Sequence, residues 1–115
     1  MASAETPRDM EHTDSTALHA KRSAGGHLQL IDVREPREHA EGVIEGAILM
    51  PMRTVPTQWT TLDPSQPVYV ICHLGARSAQ VAAFLVQQGL RAVNVDDGME
   101  GWERKGFATS KERNG

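Results

Sequence analysis

One cysteine, Cys72, stands in a chain of 115 residues, and that scarcity removes several kinds of chemistry at once. An internal disulfide, a Cys-x-x-Cys redox pair and a multi-cysteine zinc site all need partners that the chain does not supply. Aromatic residues make up only 4% and the formal net charge is -3, so neither a base-stacking platform nor a phosphate-tracking surface is expected. No nucleic-acid partner is predicted. Apolar runs fall short of the roughly 20 residues that cross a membrane, and Met1 to Met10 lacks the basic-then-apolar order of a secretory signal. The sequence predicts no membrane partner and a cytoplasmic location. His12, His19, His27 and His39 have no metal-ligand spacing and read as solvated histidines. Neither a metal site nor a cofactor is expected.

What remains is ordinary globular composition, with 39% hydrophobic and 23% charged residues. The length suits one hydrophobic core. A polar, aperiodic stretch reads as a flexible tail over residues 1–12, the domain as residues 13–108, and a second tail as residues 109–115.

Within the domain, segments of strand and helix character alternate. Asp14, Ser15 and Thr16 offer N-caps to a short helix that Gly25-Gly26 would stop. Leu28 to Val33 is an apolar run that reads as a buried strand, and Glu35 to Glu41 follows as a helix with Pro36 in its first turn. Ala47 to Met50 is a brief strand. Val68-Tyr69-Val70-Ile71 is the clearest strand, entered from Pro67 and leading into Cys72. Ser78 to Gln88 is an apolar helix closed by Gly89, Ala92 to Val95 another strand, and Gly98 to Arg104 a last helix, with Trp102 as its core anchor. Such alternation predicts an α/β fold in three layers, with a mainly parallel sheet of four to five strands and helices on both faces. In that architecture sites form at the carboxyl ends of strands, which is where Cys72 falls.

A cysteine between a strand and a helix meets converging backbone N–H groups and the positive end of the helix dipole, and thiols so placed ionise more readily than free cysteine. Gly75 allows a sharp turn that brings amides close to an anion, and Arg77 adds a cation. The same position also suits a small buried apolar residue, as free cysteines often are. The loop by itself leaves both readings open.

Its residues carry a resemblance. Cys72-His73-Leu74-Gly75-Ala76-Arg77-Ser78 resembles the Cys-x-x-Gly-x-Arg-Ser active loop of single-domain rhodaneses. Upstream, Asp32-Val33-Arg34, Glu35, Glu38 and Gly42-Val43-Ile44-Glu45-Gly46-Ala47 resemble that family's Asp-Val-Arg, Glu and Gly-His-Ile-x-Gly-Ala. Downstream, Val95 to Trp102 resembles its glycine-rich segment ending in tryptophan. Two positions depart from the pattern: Val43 stands where the family usually has histidine, and Asp97 where it often has the first of paired glycines.

The resemblance implies the rhodanese-like fold and a thiosulfate sulfurtransferase. Cys72 would be the nucleophile that carries sulfane sulfur as a persulfide, from thiosulfate or a related small-molecule donor to a thiol or protein acceptor, with cyanide as an assay acceptor. The backbone of His73, Leu74, Gly75, Ala76 and Arg77 would bind the transferred sulfur, and the Arg77 side chain an anionic donor. Asp32, Arg34, Glu38 and Ser78 would support the site, Asp32 by bonding to the Cys72 loop and Arg34 by pairing with Glu38. A non-catalytic rhodanese-like binding or sulfur-carrier module is the alternative. A phosphatase or arsenate reductase of the cysteine-loop type is a more distant one, because those place arginine sixth after the cysteine and here the sixth residue is Ser78.

Overall fold

The computed structural model describes residues 10–111. Residues 1–9 and 112–115, which fall in the two expected tails, lie outside the described residues.

The centre of the molecule is a five-stranded sheet in the order β1-β5-β4-β2-β3, in which every neighbouring pair is parallel. Its strands are β1 (Glu11–Thr13), β2 (Gln29–Asp32), β3 (Ile48–Leu49), β4 (Val68–Ile71) and β5 (Ala92–Val95). The helices are α1 (Ser15–Ser23), α2 (Pro36–His39), α3 (Val55–Gln58), α4 (Ala76–Gln87) and α5 (Gly98–Arg104). The predicted α/β class and parallel sheet are therefore what the chain forms.

β4 lies between β5 and β2, and all four of its residues are buried. β-branched side chains suit such a strand because they fill both faces of the pleat. Alternation divides those faces between two cores. Val68 and Val70 pack with Ile31, Ala92 and the α4 residues Val81, Ala82 and Leu85. Tyr69 and Ile71 pack with Leu18 of α1 and with Val93, Val95, Met99 and Trp102. Each fully buried aliphatic side chain contributes about 1.5 to 3 kcal/mol, so β4 is the best anchored strand of the sheet. The same period of two places Cys72 in the core that holds α4.

Several boundaries differ from the sequence reading. Glu11 and His12, read as the end of a tail, belong to β1, whose Glu11, His12 and Thr13 align with Val93, Asn94 and Val95. That edge strand has no buried residue, so no apolar alternation marked it. α2 spans Pro36–His39 rather than Glu35 to Glu41, because Glu35 is its N-cap, joined to Glu38 in a reciprocal capping box. α4 begins at Ala76 rather than Ser78. Gly89, at φ 96°, ends it as expected. His39 is 2% exposed, which corrects its reading as a solvated histidine: helix α2 turns that side of itself toward Asp32, whose Oδ1 lies 3.4 Å from His39 Nε2.

Candidate active site

The chain leaves β4 at Ile71 and enters α4 at Ala76, so residues 72–75 form a tight loop at the carboxyl edge of the sheet. Cys72 is buried and Sγ points back into that loop. The Gly75 N–H donates to Sγ at 3.1 Å and the Ser78 N–H at 3.3 Å, while the thiol donates to Ser78 Oγ at 3.3 Å. Two amides and a hydroxyl thus surround one sulfur. Negative charge on Sγ would meet the two amides already oriented, and the Ser78 hydroxyl, which accepts from the thiol, could rotate to donate.

Gly75 is required by this geometry. Its φ of 96° lies in the left-handed region, and a Cβ there would overlap the carbonyl of Asp96. Ser78 is buried in the first turn of α4, which explains how a residue six positions from Cys72 returns to it. His73 and Leu74 are exposed on the outer side of the loop, and so is Ala76.

The loop is also held from beneath by elements that come later in the chain. The amides of Met99 and Glu100 donate to the carbonyls of Cys72 and His73 at 2.8 and 3.0 Å. Gly98, at φ 60°, permits that approach, since a Cβ would collide with both carbonyls. Asn94 is 3% exposed, and its Nδ2 donates to the Gly75 carbonyl at 3.3 Å and to Asp96 Oδ1 at 2.8 Å. Sequence reasoning did not single out Asn94 or Met99. Asn94 is the only polar residue in an otherwise apolar β5, and a buried polar residue at that point was the available signal.

The carboxylates partner differently from the sequence reading. Asp32 does not bond to the Cys72 loop; it accepts two bonds from Arg34 Nε, at 3.0 and 3.2 Å, and one from Arg34 Nη2 at 2.8 Å. Arg34 Nη2 also donates to the Gly42 carbonyl at 2.8 Å. Both side chains are buried, and the Arg34 guanidinium is spent on β2 and the turn after α2 rather than on Glu38. Glu38 pairs instead with Arg77, whose Nη1 and Nη2 donate to Oε1 and Oε2 at 2.8 and 2.9 Å. The hydrogen bonds from Arg77, backed by the Glu35 amide and by the nearby Arg34 charge, outweigh partial burial and hold the Glu38 carboxyl down at about 2. Arg77 is pushed above its ordinary value, first by the same hydrogen bonds.

A buried cysteine ringed by loop amides at the end of the central parallel strand, with an arginine five residues on, agrees with what comparison with other proteins shows. The rhodanese-like domain model matches residues 15–105. The chain belongs to the rhodanese-like family. YtwF of Bacillus subtilis is 40% identical to it over 95 residues, covering 83% of this chain and 92% of that protein. A protein of Allochromatium vinosum named sulfurtransferase is 35% identical over 95 residues, covering 82% of this chain and 89% of the relative. The crystal structure of a rhodanese-like domain protein from Staphylococcus aureus superposes with a TM-score of 0.83 at 32% identity, over 90% of this chain and 100% of that one.

Within this rhodanese-like framework, both departures from the expected motifs have structural places. Val43 is buried and forms an antiparallel bridge with Ser110, with N–H to carbonyl distances of 2.8 Å in each direction. Asp97 is turned away from the loop. Its Oδ1 accepts from the Ser15 amide at 2.8 Å, and its Oδ2 from Ser15 Oγ at 2.6 Å and Lys105 Nζ at 3.2 Å. Burial works to raise its pKa, but the bonds from Ser15 and Lys105 prevail and lower it. Asp97 therefore ties α1 to α5 and leaves the Cys72 loop unobstructed.

Proposed function

We propose that this protein is a sulfurtransferase that carries sulfane sulfur on Cys72. The observation that carries the reading is the convergence of the Gly75 and Ser78 amides on Cys72 Sγ. Amides in that position hold a thiolate before the reaction and a persulfide after it, which is what a sulfur carrier requires.

In the first half-reaction the Cys72 thiolate attacks the outer sulfur of thiosulfate or a related donor. The bond from Sγ to that sulfur forms as its bond to the oxidised sulfur breaks, and sulfite leaves with the electron pair. In the second, a nucleophilic acceptor attacks the terminal sulfur of the persulfide and the Cys72 thiolate is released. A cellular thiol or an acceptor protein takes that role, and cyanide serves in assays. The Arg77 guanidinium retains N–H groups beyond its pair with Glu38 and can donate them to the oxygens of a donor.

The reading is tested by incubating the protein with thiosulfate and, in parallel, with methanethiosulfonate, then measuring intact mass. The expected result is one added sulfur on the wild type and none on Cys72→Ala. A wild type that gains no sulfur from either donor would favour the non-catalytic binding module.

A further inference from the structure

The loop carries one fixed positive charge, Arg77, and that charge is already met. The Arg77 fork and the Glu38 carboxylate share two parallel hydrogen bonds, the arrangement that binds guanidinium and carboxylate most firmly. Glu38 is fixed in its turn, because Oε1 also accepts from the Glu35 amide at 2.8 Å. Glu35 lies within electrostatic reach of Arg77 as well, and Arg53 faces Glu35 at 3.6 Å. Arg77 and Arg53 thus stand against Glu38 and Glu35, and Arg34, whose charge also reaches Glu38, is paired with Asp32. Leu74, Gly75 and Ala76 add no charge, and Leu74 is 62% exposed at the loop surface. The rim beside Cys72 is thus nearly neutral and partly apolar, in contrast to the anion trap that a free arginine would make.

We infer that Glu38 is a donor-specificity residue: by neutralising Arg77 it directs the Cys72 loop toward sulfane-sulfur donors of single negative charge, such as thiosulfonates and alkyl persulfides, over dianions such as thiosulfate. The inference rests on the sulfur-transfer reading and refines its substrate class. A monoanionic donor finds enough N–H groups on Arg77 and the loop to orient it. A dianion brings a second charge that Arg77, already paired with Glu38, does not meet, and that charge is better solvated by water. The chemistry is the same for both: the S–S bond to Cys72 forms while the outer sulfur leaves sulfite behind from thiosulfate, or methanesulfinate from methanethiosulfonate.

The test compares kcat/KM for thiosulfate and methanethiosulfonate, which present the same outer sulfur and differ by one charge. Glu38→Gln keeps an amide oxygen for Arg77 and removes the negative charge. It should raise the ratio of thiosulfate to methanethiosulfonate by about five- to tenfold at low ionic strength, and added salt should shrink that rise. Glu38→Asp, which keeps the charge, should hold the wild-type ratio. Arg77→Gln leaves the carboxylate uncompensated and should lower the ratio, so the inference can be judged even if Glu38→Gln does not fold. An unchanged ratio in Glu38→Gln and Arg77→Gln, or an equal loss with both donors, would overturn it and make the pair purely structural. Sulfur loading of Cys72 in the wild type is scored separately: if neither donor loads it, the sulfur-transfer reading itself falls.

Discussion

The side-chain amide of Asn94 donates to the carbonyl of Gly75 at 3.3 Å, and the Gly75 N–H in turn donates to Cys72 Sγ at 3.1 Å. Both backbone groups belong to Gly75, one on each side of its Cα, so the buried amide on β5 helps set where the loop N–H points. Asn94→Ala leaves the Gly75 carbonyl without that donor and should destabilise the fold by about 1 to 2 kcal/mol. It should also slow persulfide formation by about tenfold, since a misaimed amide loses most of its value to charge on sulfur. Stopped-flow mixing with methanethiosulfonate gives the rate and chemical denaturation gives the stability. A wild-type rate in folded Asn94→Ala would show that the loop holds its shape without β5.

Asp32 and Arg34 lead to the opposite expectation. Both are buried, three side-chain hydrogen bonds join them, and neither touches the Cys72 loop through its side chain. Asp32→Ala strands a guanidinium inside the protein and should cost about 3 to 5 kcal/mol. Persulfide formation per folded molecule should stay near the wild-type value. Urea denaturation measures the first effect and active-site titration of the folded fraction the second.

Acid should act on the pair between Glu38 and Arg77. The Glu38 carboxyl titrates at about 2 in the folded protein against its ordinary 4.5, so the folded state holds this proton less tightly than the unfolded chain. The stability that the pair contributes is present above about pH 4.5 and is lost as pH falls toward 2. Because both side chains are partly open to solvent, the contribution is screened to about 1 kcal/mol. Wild type and Glu38→Gln, compared by denaturant unfolding from pH 6 down to pH 3, should therefore converge in stability as the solution becomes more acidic.

The sequence made the neighbourhood of Cys72 legible because it is built from local signals. Val68 to Ile71 are β-branched or aromatic without interruption, Gly75 marks a turn, and the apolar helix after it ends at a glycine. Motif order then joined these parts into a family pattern. Partner choice was less visible. Arg34 and Arg77 each had more than one carboxylate within plausible reach, and only the packing of α2 against the loop sends Glu38 to Arg77 and Asp32 to Arg34. β1 escaped notice for a different reason: its stability comes from main-chain bonding to β5, which polar side chains do not advertise.

The amides at the start of α5 hold the carbonyls of Cys72 and His73, which means that the motif is not portable. A segment containing Cys72 through Ser78 spells out the loop but omits the floor on which it rests. The same dependence sets an order on assembly: the Gly75 and Ser78 amides can close on Cys72 as they do in the folded chain only after residues 94–100, which follow them in the chain, have taken their places beneath the loop.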